Sequence, residues 1–183
     1  MKKLGRSRPA NIEGKGEITI RDLVRSTLGM RPNRIIVGEC RGPEAFDMLQ
    51  AMNAGHDGSL TTLHANSPRD ALSRLEMMMA VVDVPLRVIR EQIASAVKLI
   101  VQVERLTGGP RRITSITEVV GCTSDVIATQ EIFKFTQRGI KPSGNAFGVF
   151  EGTGVSSCHV PQFQAAGISL PPNLFHDGIL MDA

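Results

Sequence analysis

The sequence predicts an α/β fold, in which a parallel sheet with flanking helices is followed by an antiparallel β extension. From residue 19 to 103, strand-like apolar runs alternate with segments whose apolar residues recur at helical spacing, the pattern of a parallel sheet. Beyond residue 106, strand-like segments are joined by short turns, which is typical of antiparallel pairing. We therefore divide the chain into a loop segment (1–18), an α/β part (19–106) and an antiparallel part with a C-terminal tail (107–183).

Four helices are predicted in the α/β part, each from a local start signal. Thr19–Asp22 has the form of a capping box, in which the first and fourth residues hydrogen-bond each other's backbone N–H groups. Pro43 begins the second helix, and proline is favoured at a first helical position. Ser67–Asp70 combines both signals for the third helix, and the fourth follows Pro85.

Strands are predicted where β-branched residues cluster. Ile35–Val37 is a continuous β-branched run, which predicts a strand buried on both faces. Ser59–Leu63 and Leu99–Val103 are the other two strands of the α/β part. The antiparallel strands are predicted over Arg112–Val120, Val126–Phe135 and Phe147–Phe150.

The composition excludes several classes of protein. The 183 residues are 42% hydrophobic and 21% charged, which is ordinary for a globular chain. The net charge is only +3, and the chain has no Trp or Tyr on which bases could stack, so we expect no nucleic-acid partner. No apolar run approaches the roughly 20 residues of a membrane helix, and the start lacks the apolar core of a signal peptide, so we expect a cytoplasmic protein.

The three cysteines are widely spaced, which is typical of reduced thiols and not of a disulfide scaffold. Cys158 and His159 are adjacent, but no second pair of metal ligands accompanies them in the sequence. The spacing therefore does not predict a zinc site.

Glu39 is the first candidate site residue, because it follows the buried strand in the segment Arg34–Gly42, RIIVGECRG. A carboxylate at the end of a buried strand is costly unless something uses it. One interpretation is a carboxylate that holds Mg²⁺ through water or orients an attacking water. The alternative is an ion pair with Arg41 or Arg34.

A second candidate segment is Gly55–Asn66, GHDGSLTTLHAN, which spans a short strand and ends at a capped helix. His64 would lie beside the N-terminus of that helix, where anions are favoured, and could donate a hydrogen bond to a phosphate. The alternative is a polar residue that supports the turn. His56 at the other end of the segment strengthens the functional interpretation.

Scattered arginines, among them Arg8, Arg25 and Arg41, could stabilise phosphate charge, although most scattered arginines are solvated surface. A phosphate-binding loop of the form GxxxxGK[ST] does not occur in the sequence. The Gly14–Lys15 pair is followed by Gly16, where Ser or Thr is required, and Pro9 stands at the position of the first glycine.

Together these motifs resemble the type II/IV secretion ATPases, and in particular the CpaF/TadA ATPases of Flp (tight-adherence) pilus assembly. The resemblance covers nearly the whole chain from about Arg8. The similar segments are Asn11–Glu17, Arg34–Gly42, Gly55–Asn66, Ser67–Glu76, Arg90–Val97, Ile116–Gly121 and Ala165–Pro172.

This resemblance implies a RecA-like P-loop NTPase core, ATP and Mg²⁺ as cofactors, and a homo-hexameric ring that acts on inner-membrane pilus or secretion platform proteins. It implies that Ile35–Glu39 is a Walker B strand, with Glu39 the carboxylate that holds Mg²⁺ through water. It also implies that Gly55–Asn66 is a "His box" with His64 near the γ-phosphate, and that Arg8 can reach nucleotide. The protein would then lie at the inner membrane through its partners.

The P-loop and the acidic "Asp box" of the family would lie upstream of residue 1, so we expect a partial RecA-like core from a truncated gene, a shifted start or a fragment. We expect the 183-residue chain to bind ATP poorly and to hydrolyse it at background rate. The alternative function is a non-catalytic module that associates with a full-length ATPase or with membrane pilus proteins.

Overall fold

The computed structural model describes residues 5–107, 109 and 111–176. The ends of the predicted loop segment and C-terminal tail, residues 1–4 and 177–183, lie outside the described residues. The chain forms two compact units that divide between Val97 and Lys98, and not after residue 106 as the sequence predicts.

Among its described residues, the first unit contains four helices and two short strands, which confirms the predicted alternation. Its elements are α1 (Ile20–Leu28), β1 (Ile36–Val37), α2 (Glu44–Asn53), β2 (Leu60–Thr61), α3 (Pro68–Met79) and α4 (Leu86–Ala96).

The local start signals place the helices correctly. At α1, the Thr19 hydroxyl accepts a hydrogen bond from the Asp22 backbone N–H, and the Asp22 carboxylate accepts from the backbone N–H of Thr19. At α3, the Ser67 hydroxyl accepts from the Asp70 backbone N–H, and Pro68 occupies the first turn. These contacts join residues three positions apart, so the sequence suffices to predict them.

Strands β1 and β2 are parallel, with Ile36 opposite Leu60. The prediction that β1 is buried on both faces is wrong, because Ile36 is 69% exposed whereas Ile35 and Val37 are each 6% exposed. Successive side chains of a strand point to opposite faces, so only the face of Ile35 and Val37 meets the core. Leu60 shares the open face with Ile36 and is exposed as well.

The core of the first unit is made chiefly by the apolar faces of α2, α3 and α4, which pack on one another. Its large, fully buried side chains include Met48, Leu49, Met79, Ile89 and Ile93. Helix α2 is central, because it packs against the other three helices of the unit. The loops at either end of α2 are therefore fixed by a packed element.

The second unit is an antiparallel sheet followed by a short helix. Its strands pair in the order β3-β4-β5-β6, as predicted for an antiparallel extension. Its elements are β3 (Leu99–Arg105), β4 (Arg111–Thr123), β5 (Val126–Ile140), β6 (Ala146–Gly152) and α5 (Val160–Ala165).

One assignment in this unit differs from the sequence analysis. Leu99–Val103 was assigned to the parallel sheet, but β3 pairs antiparallel with β4, because the chain returns through a short connection after Arg105. The β4–β5 turn is tight, since Ser124 and Asp125 both have positive φ, 50° and 63°, as a two-residue hairpin turn requires. In the part of the chain that the structure describes, no helix is long and apolar enough to cross a bilayer.

Candidate functional site

Glu39 and His64 meet at one end of the parallel β1–β2 pair. Glu39 follows β1 and His64 follows β2, so both lie beyond the carboxyl ends of their strands, where open α/β sheets bind ligands. Pairing continues past the strands, because the Cys40 backbone N–H donates to the Thr62 carbonyl at 3.0 Å. The Thr62 hydroxyl donates to the Gly38 carbonyl at 2.6 Å, which ties the two loops together.

Arg41 and His64 both contact the Glu39 carboxylate. Arg41 Nε lies 2.6 Å from Glu39 Oε2, and His64 Nε2 lies 2.6 Å from Oε1. The Glu39 side chain is only 25% exposed, whereas those of Arg41 and His64 are 73% and 80% exposed. A sheltered carboxylate is therefore flanked by two cationic or proton-donating groups that face solvent.

The two oxygens of Glu39 differ in how well they are satisfied. Oε2 is held by Arg41, which is the main reason that the pKa of Glu39 lies below its ordinary value. Oε1 is shielded from solvent, and within the described residues it has no donor in hydrogen-bond alignment, since His64 is close in distance but poorly directed. A buried carboxylate oxygen without an aligned donor is an incomplete arrangement that a water or ligand would complete.

Glu44, at the start of α2, fixes the backbone that carries Arg41. Its buried carboxylate accepts from the Arg41 backbone N–H at 2.6 Å and from the Gly42 N–H at 3.0 Å. These are unpaired donors just ahead of a helix, and an acidic residue in the first turn is favoured there. Sequence reasoning missed this role, although a glutamate directly after Gly42-Pro43 is a recognisable signal.

His56 lies at the opposite end of the β1–β2 pair from Glu39. Its Nδ1 is 2.7 Å from the Pro32 carbonyl oxygen, and its own carbonyl accepts from the Ser59 hydroxyl at 2.7 Å. The Ser59 oxygen in turn accepts from the Ile35 backbone N–H at 2.9 Å. His56 precedes β2, whereas His64 follows it. The contacts of His56 therefore hold the chain at the amino ends of β1 and β2.

Arg25 is engaged away from the Glu39 cluster. Asp47 on α2 accepts from Arg25 Nε at 2.8 Å and from Arg21 Nε at 2.5 Å, which links α1 to α2. Sequence reasoning missed Asp47, although two arginines four residues apart on α1 present one face to a partner.

Arg8 belongs to neither cluster. Its Nε donates to the Gly16 carbonyl at 2.9 Å, and its backbone forms an isolated antiparallel bridge with Ile18. Of the six residues predicted from sequence, the contacts thus join Glu39, Arg41 and His64, and they give Arg8, Arg25 and His56 other partners.

Comparison with known proteins gives the lineage of the chain. The family model described as "Type II/IV secretion system protein" matches residues 3–151. The chain belongs to this family. The resemblance read from the motifs is thereby confirmed at the level of the family, whereas the CpaF/TadA subgroup remains a prediction.

Individual relatives of this secretion-family chain are described as proteins of conjugal transfer or type IV secretion. A Mycobacterium tuberculosis protein, provisionally described as a conjugal transfer protein, is 44% identical over 110 residues, which are 60% of this chain and 31% of that protein. The type IV secretion system protein PtlH of Bordetella pertussis is 40% identical over 100 residues, 52% of this chain and 30% of that protein. The chain thus spans about a third of the length of the curated relatives that it matches.

A solved structure supports the α/β fold. The VirB11 ATPase of the Brucella suis type IV secretion system, solved in complex with sulphate, is 33% identical with a TM-score of 0.51. The match covers 54% of this chain and 31% of that one.

The Glu39 cluster fits the metal that such a family implies. Mg²⁺ keeps several water ligands and is usually held by one or two carboxylates together with substrate phosphates. Glu39 Oε1, sheltered and without an aligned donor, offers one such carboxylate oxygen. The cluster therefore suits a contact to Mg²⁺ through water and not a complete metal cage.

Proposed function

We propose that this chain carries the water-activating part of the ATP site of a secretion-family motor. In this proposal, Glu39 orients the attacking water and contacts Mg²⁺ through water, His64 donates a hydrogen bond to the γ-phosphate, and Arg41 holds Glu39. The observation that carries the proposal is the Glu39 carboxylate at the carboxyl end of β1, with one oxygen held by Arg41 and the other lacking an aligned donor.

In this proposal each of these residues has a distinct task. Arg41 keeps Glu39 ionised, so that the carboxylate can accept a hydrogen bond from water. His64 is exposed and close to Oε1, so a small movement of its ring would turn it towards a phosphate oxygen. Bound Mg²⁺ would supply charge neutralisation on the phosphates, while Glu39 and His64 position the reacting groups.

Arg8 remains a proposed nucleotide contact, because its side chain is exposed and, among the described residues, it forms a side-chain hydrogen bond through Nε alone. The contacts of Arg25 with Asp47 and of His56 with Pro32 favour structural tasks for those two residues. We therefore propose that Arg25 and His56 act on the site through the fold of the first unit.

The wider assignment follows from the family. We propose a partial RecA-like core with ATP and Mg²⁺ as cofactors, which works in a homo-hexameric ring in the cytoplasm against inner-membrane platform proteins. The printed names of the relatives favour conjugation or type IV secretion, and the motifs favour Flp pilus assembly by a CpaF/TadA-type motor.

A second candidate function is a non-catalytic module that associates with a full-length ATPase or with membrane pilus proteins. The paired side chains Ile36 and Leu60 favour it, because both are apolar and more than half exposed on the open face of the parallel strands. The sequence also contains no GxxxxGK[ST] motif to hold the triphosphate. Association without turnover would distinguish this function from the first.

The test compares the 183-residue chain with a chimera. In the chimera, the chain replaces the matching region of the Brucella suis VirB11 ATPase, whose preceding segment is retained. We expect the isolated chain to hydrolyse Mg²⁺-ATP at background rate and the chimera to hydrolyse it measurably. ATP turnover by the isolated chain would refute the proposal that this chain carries only part of the ATP site. A chimera that folds and forms rings but does not hydrolyse ATP would favour the second function.

A further inference from the structure

The second unit contains a cluster of functional side chains, none of which is a residue of the proposed ATP site. Glu118 is on β4, whereas Cys158 and His159 directly precede α5. The segment before α5 returns to β4, because the Ser157 hydroxyl and the Cys158 backbone N–H both donate to the Glu118 carboxylate. The fold thus brings Glu118 to the adjacent Cys158–His159 pair from 40 residues away.

Glu118 is held rigidly at this position. It is only 1% exposed, and besides Ser157 and Cys158 it accepts from Gln130 Nε2 at 2.8 Å. Burial opposes the ionisation of Glu118, but these hydrogen bonds outweigh it, so the pKa of Glu118 lies below its ordinary value. A buried carboxylate that stays ionised is a fixed negative charge with lone pairs still to offer.

One ligand atom each from Glu118, Cys158 and His159 lies within 4.8 Å of the other two. Ligand atoms around a tetrahedral Zn²⁺ with bonds of about 2.0–2.3 Å are separated by about 3.5 Å, so rotamer adjustments of roughly 1 Å would close the set. We propose that Glu118, Cys158 and His159 bind one Zn²⁺ ion through a carboxylate oxygen, a thiolate sulfur and an imidazole nitrogen, with water as the fourth ligand.

The two nitrogens of His159 support this assignment. Nδ1 lies 3.0 Å from Gln162 Oε1, whereas Nε2 is buried and has no hydrogen-bond partner among the described residues. Metal-binding histidines usually donate their second ring N–H to an oxygen acceptor, which fixes the tautomer and the orientation of the ring. With Nδ1–H donating to Gln162, Nε2 carries the lone pair that a metal requires.

Binding is balanced by the loss of one proton. Burial and the neighbouring Glu118 carboxylate raise the pKa of the Cys158 thiol, so the metal-free cluster holds a thiol that hydrogen-bonds to Glu118. Zn²⁺ forms a bond to the Cys158 sulfur, and the thiol proton passes to solvent. His159 binds as the neutral imidazole, and no oxidation or reduction takes place.

Cobalt(II) is the probe of choice, because it substitutes for zinc and a bond to a thiolate gives an intense charge-transfer absorption. The full chain, stripped of metal with a chelator under reducing conditions, is titrated with CoCl₂ and then with ZnCl₂. We expect one Co²⁺ per chain, a thiolate charge-transfer band and its loss on addition of Zn²⁺. In Cys158→Ser we expect the band to vanish, and in His159→Ala we expect affinity to fall by at least about 10- to 100-fold.

Cys122→Ser is the matched control, because Cys122 is a free thiol of the same unit outside the cluster. We expect it to keep the band and the affinity. Glu118→Gln is less suitable alone, since Glu118 also holds Ser157 and Cys158 in place. The absence of a band in the wild-type chain, or a band that persists in Cys158→Ser, would overturn the proposal and leave the cluster as a hydrogen-bond network.

Discussion

Each unit of the chain contains a glutamate with an exceptional environment, and the two environments are opposites. Glu118 is 1% exposed and accepts from two side chains and a backbone N–H. The Glu39 side chain is 25% exposed, touches two exposed side chains and keeps one oxygen without an aligned donor. The hydrogen bonds to Glu118 stabilise the second unit whether or not a metal binds there, whereas Glu39 Oε1 is left for a partner from outside.

The supporting frames differ in the same way. Glu118 lies within a 13-residue strand of a four-stranded antiparallel sheet, whereas Glu39 follows a two-residue strand. Helix α2 compensates for the short strand, since Glu44 holds the backbone of Arg41 at its start. We therefore expect a substitution of Glu118 to destabilise the second unit, and a substitution of Glu39 to change the chemistry of the first unit and not its stability.

The largest effect is expected for Glu118→Ala, measured without metal. The substitution leaves the Ser157 hydroxyl, the Cys158 N–H and the Gln130 amide without their acceptor. An unsatisfied group costs about 1–3 kcal/mol where it is buried, as Ser157 is, and less where water reaches it, as at exposed Cys158. We expect the free energy of unfolding of the second unit to fall by about 3–5 kcal/mol, as resolved by hydrogen exchange. Glu151→Ala on edge strand β6, which removes the acceptor of Thr136, should cost about 1 kcal/mol or less.

Acid provides a second measure of the same contact. Since the pKa of Glu118 is depressed in the folded state, its stabilisation is present above the ordinary value of 4.5 and is lost as pH falls below it. The wild-type second unit should therefore lose stability below that pH more steeply than Glu118→Ala. Parallel pH profiles for the two proteins would show that the hydrogen bonds do not favour the ionised form.

A smaller effect is expected for Asp47→Asn in the first unit. Asp47 is buried between Arg21 and Arg25, and its neutral replacement weakens both charge-assisted bonds between α1 and α2. We expect a loss of about 1–3 kcal/mol, again measured by hydrogen exchange. Arg25→Gln should cost less than about 1 kcal/mol, because the Arg25 side chain is 56% exposed. If Asp47→Asn leaves the stability of the first unit unchanged, the ion pair with Asp47 does not hold Arg25, and Arg25 is again a candidate for binding nucleotide.

The sequence predicts the features that depend on residues close together in the chain. The capping contacts of Thr19 and Ser67 are examples, and so is the placement of Glu39 and of His64 each directly after a strand. The family is also recognisable from contiguous motifs such as Gly55–Asn66, and the match over residues 3–151 confirms that family.

Features that depend on distant residues could not be predicted. The hydrogen bond between Glu118 and Ser157 joins positions 39 residues apart, and no local pattern marks it. A strand pattern likewise does not reveal which neighbour the strand will pair with, so β3 was assigned to the wrong sheet. The β-branched run at Ile36 indicates a strand but cannot show how many layers cover it.

The most direct test of the central claim is Glu39→Gln in the VirB11 chimera. The substitution keeps the shape of the side chain and should leave the hydrogen exchange of both units unchanged. We predict that Mg²⁺-dependent ATP hydrolysis falls by at least about 100-fold, the range for loss of a positioned base, while nucleotide binding is retained. Hydrolysis at the unsubstituted rate in Glu39→Gln would contradict the account, because Glu39 would then be an ion-pair partner of Arg41 and nothing more.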